Sequence, residues 1–519
     1  MNFSKVHSAQ ANLLRAYIVD IEVDISKNTL HAFSIVGLPD KAVEESRDRV
    51  SAAIKNNDYK SPKEKNQKVI VSLAPANLKK EGPNFDLGIA IAYLLASDDI
   101  LFNPRKKIFL GELTLDGRLR KINGTLALVK EAKKRKFEEV YLPAENAEEG
   151  ALIDGIKIFG VQTLQELIKH LKYGSPADTE LSVSNRLTPQ APTKIKLSNS
   201  APVIDFSDIK GQESAKRGLE IASSGGHNIA MFGPPGAGKT MLAKAFCHIL
   251  PPLSFEDILE VTAIHSIAGL LENNLVVQPP FRSPHHTASY VSVVGGGTFP
   301  KPGEVTLAHK GVLFLDEFPE FERRAIEALR QPLEDGIINV SRAKGTAKFP
   351  ADFILIATMN PCPCGNFGTE KECVCAPANL IRYQRKISGP IIDRIDMWVE
   401  VANVDHQKLS QKDDGLEKTS AIGKRVANAR GIQTKRFQKS VRKTNGGMSV
   451  KDIEKLALLE TETQKILNQS AGKLGLSARA YHKVIKLART VADLDRAEKI
   501  RPEHILEALQ YRPKNFMGI

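Results

Sequence analysis

The chain has 519 residues, 42% of them hydrophobic and 26% charged, values that are ordinary for a globular protein of about three domains. No segment approaches the roughly eighteen continuous apolar residues of a membrane-spanning helix, and the N-terminus lacks the apolar stretch of a signal peptide, so we expect a cytoplasmic protein without a membrane partner. The net charge of +13 and the pI near 9.3 favour a polyanionic partner.

Shifts in composition indicate the domain organisation. Residues 174–200 are rich in Ser, Pro, Thr and Asn and lack sustained periodicity, which is typical of a linker. A second polar break lies at residues 405–415. The predicted parts are an N-terminal α/β domain (1–173), the linker (174–200), a P-loop α/β core with a parallel sheet (201–405) and a C-terminal α-helical lid (406–519).

Three stretches characterise the N-terminal domain, namely Val69–Pro75, Lys80–Gly88 and Gly111–Gly117. They resemble the Lon-protease C-terminal fold, an S5-type α/β domain also found in RadA-type recombination proteins. Where Lon-type proteases carry a nucleophilic serine this chain has Asn84, and the partner lysine would fall near Thr125 or Leu126. Since the nucleophile and its activating amine are both missing, we expect a docking or DNA-engaging scaffold and no Ser–Lys peptidase.

A phosphate-binding loop is predicted at residues 233–240, which read GPPGAGKT and match G-x-x-x-x-G-K-[ST]. An apolar strand, Asn228–Phe232, precedes the loop and a helical stretch follows it. The loop amides and the helix N-terminus would cradle phosphates, Lys239 would reach the β- and γ-phosphates of ATP, and Thr240 would bind Mg²⁺. The predicted nucleotide-binding residues of this loop are Gly233, Pro234, Pro235, Gly236, Ala237, Gly238, Lys239 and Thr240.

Two further apolar strands end in polar residues. The first, within Gly311–Glu317, predicts a Walker B strand in which Asp316 holds Mg²⁺ and Glu317 polarises the attacking water. The second, Phe353–Met359, ends at Asn360, which could orient that water. Buried strands with polar residues at their carboxyl ends are typical of a parallel sheet with a ligand crevice there, so the sequence predicts an ATPase.

Between these strands, residues 337–349 form two short extended runs around Ala343–Gly345, a pattern that predicts a hairpin. Its basic residues Arg342, Lys344 and Lys348 would either grip a phosphate backbone or form an exposed basic turn.

Four of the five cysteines lie within fourteen residues, as Cys362, Cys364, Cys373 and Cys375. Four thiolates could hold a structural Zn²⁺, although C-x-C differs from the usual C-x₂-C spacing, and reduced loop thiols are the alternative. The neighbouring His285 and His286 are left out of the catalytic set, because adjacent side chains rarely point the same way and no third ligand is close in sequence.

A basic run extends from Lys418 to Lys443 with nine Lys or Arg and no acidic residue. It is interpreted as either a nucleic-acid contact or a solvated linker, and it could become ordered only on binding.

Several motifs of the core lie outside these elements. They are Phe206–Glu213, Phe281–Ser289, Pro302–His309, Asn360–Gly365 and Ser388–Asp396. With the P-loop and the Walker B strand, they resemble the ComM/YifB family of Mg-chelatase-like AAA+ ATPases, competence-related branch-migration helicases. The flanking regions match the layout of that family, so the resemblance covers nearly the whole chain.

The resemblance implies a ring, expected to be a hexamer, with ATP sites between subunits. It implies that Arg394 is an arginine finger supplied to a neighbour, where the alternative is an ion pair with Asp393 or Asp396. Arg382 and Arg385 are weaker candidates for the same interface. Arg479 resembles the sensor 2 residue that contacts ATP from the helical lid, and a surface arginine is the alternative. The hairpin of residues 337–349 would project into the central pore.

Two function classes follow from these patterns. The first is an ATP-driven ring motor on single-stranded or branched DNA, a helicase or branch-migration enzyme in recombination or natural transformation. The second is a chelatase-type, protein-remodelling ATPase that drives metal insertion or complex assembly. The basic charge, the hairpin and the recombination-type N-terminal domain favour DNA, whereas the P-loop core fits both classes.

Overall fold

The computed structural model describes residues 2–12, 15–64, 66–172, 186–193, 204–271, 275–296, 301–342, 345–369, 371–404, 416–438 and 443–513. The chain divides into two compact units. The first comprises Met1–Leu197 together with Ile258–Val276, and the second comprises Ser198–Asp257 together with Val277–Ile519. Most of the predicted linker 174–200 and the polar break 405–415 lie outside the described residues. Among the described residues, no helix is both long and apolar enough to cross a bilayer.

The first unit is built on a seven-stranded mixed sheet with the order β3-β4-β2-β1-β5-β8-β9. Its strand β4 alternates buried Val69, Val71 and Leu73 with more exposed residues, which is the two-residue period of a strand with one face in the core. The strands of this unit are β1 (Phe3–Asn12), β2 (Arg15–Lys27), β3 (Ala32–Val36), β4 (Gln67–Ala74), β5 (Lys107–Phe109), β6 (Glu112–Leu113), β7 (Leu119–Arg120), β8 (Glu139–Pro143) and β9 (Lys157–Val161).

The helices of this unit are α1 (Lys41–Lys55), α2 (Asp86–Ala96), α3 (Thr125–Lys134), α4 (Ala147–Gly150) and α5 (Leu164–Lys172). Helix α2 is apolar on every face after Asp86, and all of its residues are buried, as expected for a helix at the centre of a domain. Asp86 is neutralised there by Arg49, whose Nε donates to a carboxylate oxygen at 2.7 Å. The predicted Lon-like fold remains a prediction, and Asn84 and Thr125 lie in the short helical turn before α2 and at the start of α3.

The second unit is centred on a five-stranded parallel sheet with the order β11-β14-β17-β10-β18. The three strands predicted from apolar runs are all present in it and are fully buried. Its strands are β10 (Ile229–Phe232), β11 (Phe281–Arg282), β14 (Val312–Leu315), β17 (Ile354–Met359) and β18 (Met397–Glu400), and two separate pairs are β12 (Gly295–Gly296) with β13 (Lys301–Pro302) and β15 (Ile337–Arg342) with β16 (Gly345–Pro350). A parallel α/β core is therefore confirmed.

The remaining helices surround this sheet or form the C-terminal region, apart from α8 (Phe255–Ala268), most of which belongs to the first unit. They are α6 (Glu213–Gly225), α7 (Lys239–Phe246), α8 (Phe255–Ala268), α9 (Tyr290–Val294), α10 (Glu304–Leu307), α11 (Arg323–Ala328), α12 (Arg330–Asp335), α13 (Pro377–Gln384), α14 (Gly389–Ile392), α15 (Thr419–Arg436), α16 (Val450–Leu456), α17 (Thr461–Leu474), α18 (Ala478–Leu494) and α19 (Pro502–Gln510). The described C-terminal region is helical as predicted, and its apolar residues share one core with the parallel sheet.

The basic run from Lys418 forms helix α15, and several of its arginines bind within the same unit. The guanidinium of Arg436 pairs with the buried Asp493 of α18 at 2.6 Å, and Arg430 donates to the Ser223 carbonyl at 2.7 Å. Arg425 pairs with Glu220 and Glu417. The interpretation of this run as a solvated linker is therefore wrong for the described residues, because these cations stabilise the packing of α15.

Candidate active site

The predicted phosphate-binding loop connects β10 to α7 at the carboxyl edge of the parallel sheet. Gly236 and Gly238 have φ values of 82° and 89°, in the left-handed region that favours glycine. Gly233 lies so close to the backbone after β18 that a Cβ at position 233 would fall 2.0 Å from the Val401 carbonyl oxygen. The sequence thus folds into a tight loop that leads into a helix N-terminus, the arrangement that binds phosphate.

Lys239 is the cation of this loop. Its ammonium donates to the carbonyls of Gly233 and Pro234 at 2.7 and 2.8 Å and to Oδ1 of Asn360 at 3.1 Å. Burial lowers the pKa of Lys239, whereas the nearby Asp316 carboxylate acts in the opposite direction. A desolvated ammonium at this position has a strong electrostatic interaction with a phosphate that enters the loop.

Thr240 and Asp316 offer adjoining oxygens for a metal. The Thr240 hydroxyl donates to Oδ2 of Asp316 at 3.0 Å, and the buried Thr358 donates to Oδ1 of the same carboxylate. Since Mg²⁺ prefers hard oxygen ligands and binds through one or two protein oxygens plus phosphate, this pair fits it. Thr358 was missed by the sequence analysis because an interior threonine of an apolar strand carries no motif.

Glu317 is positioned by a sharp change of backbone direction after the Walker B strand. It adopts φ 52° and ψ 46°, a left-handed conformation that is uncommon for residues other than glycine. Its carboxylate is 3.2 Å from Nδ1 of His286. With this backbone conformation the Glu317 carboxylate lies beside a histidine.

The loop after β11 carries His286 to this position. Strand β11 pairs in parallel with β14, so the carboxyl ends of the two strands meet at the same edge of the sheet. The rings of His285 and His286 are also in contact, with centroids 4.2 Å apart. The two rings lie side by side, which was not expected for adjacent residues, and His286 falls within Phe281–Ser289, one of the motifs that the sequence analysis singled out.

Asn360 follows the last residue of β17 and joins the loop to the sheet. Its side chain accepts the Lys239 hydrogen bond, and its carbonyl accepts one from the Tyr383 hydroxyl at 3.2 Å. The structure therefore brings Lys239, Thr240, Asp316 and Asn360 together through two hydrogen bonds, Lys239 to Asn360 and Thr240 to Asp316, which are connected because Lys239 and Thr240 are adjacent in the chain. Glu317 follows Asp316.

The two predicted arginines lie together. Arg394 pairs with the Glu334 carboxylate and donates to the Arg330 and Pro390 carbonyls at 3.1 and 2.8 Å. Arg479, largely exposed, donates to the other oxygen of Glu334 at 3.4 Å. The alternative pairing with Asp393 or Asp396 is not seen among the described contacts, and Asp396 instead accepts from the Asn228 amide at 2.9 Å. None of the polar contacts in the described part of the chain joins this arginine pair to the cluster around Lys239.

The predicted hairpin is present. Strands β15 and β16 pair antiparallel from Ile337↔Pro350 to Arg342↔Gly345. Lys348 is exposed on it, whereas Lys344 and the side chain of Arg342 lie outside the described residues.

The four predicted cysteines converge directly after Asn360. All four Sγ atoms lie within 4.8 Å of one another, as Cys362, Cys364, Cys373 and Cys375. The sulfur of Cys362 is 3.3 Å from that of Cys364 and 3.8 Å from that of Cys373. A hydrogen bond from the Asn366 amide lowers the pKa of the Cys364 thiol to about 6, so this sulfur is readily a thiolate.

The glycine loop, the Walker B carboxylates and the polar residue after β17, on a parallel sheet packed with helices, define a P-loop ATPase of the AAA+ class. Family comparisons agree with this class. The model described as magnesium chelatase, subunit ChlI, matches residues 205–409, that of subunit ChlI of Mg-chelatase matches 21–146, and that of the C-terminal region of subunit ChlI matches 416–512.

The chain belongs to the ComM/YifB family of magnesium-chelatase-like AAA+ ATPases. It is similar to the competence protein ComM of Haemophilus influenzae, with 39% identity over 518 residues, 99% of this chain and 98% of that protein. YifB of Escherichia coli is 40% identical over 515 residues, 99% of this chain and 97% of YifB. A magnesium-chelatase 67 kDa subunit of Chlorobaculum parvum is 32% identical over 166 residues, which cover 31% of this chain and 24% of that subunit.

Proposed function

We propose that the chain is an ATP-driven motor that acts on single-stranded or branched DNA, as a helicase or branch-migration enzyme in recombination or natural transformation. The observation that carries the ATPase part is the cluster of Lys239, Thr240, Asp316 and Asn360 at the sheet edge. The name of the Haemophilus influenzae relative, a competence protein, supports the biological setting.

In this proposal each residue of the cluster has one task. Lys239 binds the β- and γ-phosphates, and the loop amides hold the phosphate oxygens. Thr240 and Asp316 would hold Mg²⁺, which, when bound, neutralises charge that develops on the phosphates. Glu317 accepts the proton of the attacking water, His286 orients the Glu317 carboxylate, and Asn360 aligns the water.

Charge on the second unit supports a polyanionic partner. Besides Lys348 on the hairpin, a cavity of about 570 Å³ lies between the segment after Walker B and helix α13. Its cationic lining residues are Arg323, Arg382, Arg385 and Lys386. Only Lys386 has an ion-pair partner among the described residues, at 2.8 Å from Glu320. Arg323, Arg382 and Arg385, for which the described part of the chain shows no carboxylate partner, make this face suited to phosphate.

The first test is the steady-state ATPase rate of the full chain with and without single-stranded, duplex and branched DNA, at low and moderate salt. We expect DNA to stimulate hydrolysis, and Lys239→Ala to abolish both the basal and the stimulated rate. Lys348→Ala should reduce the slope of log affinity for DNA against log salt by about one, because one phosphate contact is lost. The matched control Lys451→Ala, which replaces another exposed lysine, should leave the slope unchanged.

A rate that no DNA changes, without salt-sensitive DNA binding, contradicts the DNA proposal and favours the alternative. That alternative is a chelatase-type ATPase that remodels a protein partner for metal insertion or complex assembly. It is supported by the family models, which are described by a magnesium chelatase subunit.

We also propose that the chain assembles into a ring, with a hexamer as the expected size. In the ring, Arg394 would reach the γ-phosphate bound by a neighbouring subunit, and Arg479 would contact ATP from the helical lid as a sensor 2 residue. Arg394 has no polar contact with the cluster around Lys239 in the described structure, which supports its role between subunits, and Arg479 lies beside it on Glu334. For the cysteine cluster we propose a structural Zn²⁺ as a further cofactor.

A further inference from the structure

The cysteine cluster, defined as Cys362, Cys364, Cys373 and Cys375, has the spacing of a tetrahedral zinc site. With Zn–S bonds of about 2.3 Å, the sulfurs of a four-thiolate site are about 3.8 Å apart. Two of the observed separations, 3.7 and 3.8 Å, match this value, the third, between Cys362 and Cys364, is shorter at 3.3 Å, and all four sulfurs lie within 4.8 Å of one another. An iron–sulfur cluster would spread its thiolates over several irons and needs a wider arrangement. The Phe367 amide also donates to Cys362 Sγ at 3.3 Å, as an outer partner of a metal-bound thiolate does.

The cluster is attached to the ATP site by two short connections. One is covalent, because Cys362 follows Asn360 by only two residues, and Asn360 holds the Lys239 ammonium. The other is a packing contact in which the backbone of Gly365 lies against Pro235 of the phosphate-binding loop. A Cβ at position 365 would come within 2.5 Å of the Pro235 Cδ. A change in the conformation of the cysteine cluster would therefore affect both Asn360, which contacts Lys239, and the phosphate-binding loop at Pro235.

Among the described residues, Cys373 and Cys375 make no polar contact with the cluster around Lys239. The segment that carries the cysteines has a near arm, residues 362–366, and a far arm, residues 371–375. The far arm carries Cys373 and Cys375 and leads into helix α13. Among the described residues, Val374 between them is 81% exposed, so this arm has little apolar packing of its own. The far arm is bound to the near arm by the group of sulfurs, together with a hydrogen bond of 3.4 Å from the Asn366 side-chain amide to the Glu372 carbonyl.

From this arrangement we infer that a zinc ion in the cysteine cluster is a positioning element of the ATPase site, which fixes Asn360 and the phosphate-binding loop through Cys362 and Gly365. The inference rests on the proposed ATP hydrolysis and on the proposed zinc. The ion has four thiolate ligands and no open position, so its role is to hold the loop and not to activate water. Loss of the metal should weaken nucleotide binding even though none of the four cysteines belongs to the cluster around Lys239.

The test uses the full chain and measures zinc content, secondary structure by circular dichroism, and affinity for a fluorescent ATP analogue in the presence of Mg²⁺. We expect about one zinc per chain. The double variant Cys373→Ser/Cys375→Ser should lose the zinc and bind the analogue about tenfold more weakly, because the loss acts from the far arm through the metal.

A pair of glycine variants tests the contact between Gly365 and Pro235 separately from any effect on folding. Gly365→Ala should retain zinc but weaken nucleotide binding, since its Cβ would clash with Pro235. Gly368→Ala is the matched control, because Gly368 also has a positive φ but has open space around it, and its affinity should equal that of the wild type. If the cysteine variant fails to fold, this pair decides the matter.

Wild-type affinity in a folded, zinc-free cysteine variant overturns the inference, as does a wild-type protein without zinc or equal affinity in the two glycine variants. The variant Lys239→Ala keeps the two proposals apart. If Lys239→Ala binds the analogue as the wild type does, the assignment of the ATP site is wrong. If Lys239→Ala fails to bind the analogue but the zinc-free cysteine variant binds it as the wild type does, only the role of the metal is contradicted.

Discussion

At the scale of single residues, the carboxylate of Glu317 differs from that of Asp316 in what surrounds it. Asp316 accepts hydrogen bonds from Thr240 and Thr358, so its oxygens are oriented towards the phosphate-binding loop. Glu317 is half exposed, and its carboxylate lies 3.2 Å from Nδ1 of His286. In the proposed mechanism the two adjacent acids would therefore have different tasks, Asp316 to hold a metal and Glu317 to accept a proton.

Glu317→Gln is expected to reduce kcat for ATP by about 10²–10⁴-fold, because an amide cannot accept the proton of the attacking water. Its affinity for ATP should stay within about twofold of the wild type, since the loop and its lysine are unchanged. Single-turnover hydrolysis and equilibrium nucleotide binding measure the two quantities separately. A parallel loss of affinity would show that Glu317 supports the loop instead.

His286→Ala should lower kcat by on the order of tenfold, because Glu317 would lose the partner that orients it. Nucleotide affinity should not change, and His286→Asn should recover part of the rate. The matched control is His285→Ala, because His285 is exposed and its Nδ1 lies 2.8 Å from the hydroxyl of Thr287. Equal rates for the two alanine variants would contradict a positioning role for His286.

At the scale of elements, the junction between the parallel sheet and the C-terminal helices contains a buried histidine. His227, just before β10, is 1% exposed, and its Nε2 lies 2.7 Å from the Thr490 hydroxyl of α18. Burial lowers the pKa of His227 to about 4, against the opposing effect of Asp396. The histidine is therefore neutral in the folded protein near neutral pH.

This histidine predicts a loss of stability in acid. Below its ordinary pKa of about 6.5 the unfolded chain binds a proton that the folded chain does not bind until about pH 4, so stability falls as the pH falls through that window. Between pH 7 and pH 5 the contribution is about 2 kcal/mol of unfolding free energy. Urea unfolding of the wild type and of His227→Gln at both pH values measures it, and an identical pH dependence in the two proteins would contradict the prediction.

How much of these elements can be predicted from the sequence depends on their length and on where their partners lie. The strands β10, β14 and β17 each give an apolar run that ends in a polar residue, so the sheet and the cluster around Lys239 follow from local pattern. Strand β11 has two residues and no detectable period, so its position in the sheet could not be predicted from the sequence. The contact between His286 and Glu317 could not be predicted for the same reason. The predicted Zn²⁺ ligands converge, while the roles of the site residues remain predictions.

Long-range pairing is what the sequence could not supply. The composition of the basic run cannot show that Arg436 meets Asp493, because the two are far apart in the chain and the pairing depends on how α15 packs against α18. The same holds for Arg394 and Arg479, which share Glu334 although no pattern connects the three. Local pattern predicts elements, whereas ion pairs between elements follow only from the packed fold.

At the scale of the whole molecule, the proposed ring predicts complementation between inactive subunits. Lys239→Ala removes nucleotide binding and Arg394→Ala removes the finger, so each variant alone should lack ATPase activity. In an equal mixture, about one quarter of random interfaces combine an intact loop with an intact finger, and activity should return accordingly. ATPase rates across mixing ratios test this, and a mixture that stays inactive, in rings shown by sizing to contain both variants, would place Arg394 in its own subunit's site or in a structural role.

The path of the chain between the two compact units has a practical consequence. Residues 258–276 interrupt the sequence of the second unit but belong to the first unit, where Leu259 and Leu275 pack against the apolar core. The Ser266 hydroxyl accepts from the Gly124 amide at 2.9 Å and donates to Glu149 at 3.2 Å. A truncated protein that begins near residue 200 would retain residues 258–276 but lack the apolar core against which they pack. To isolate the ATPase half, residues 258–276 should therefore be deleted as well.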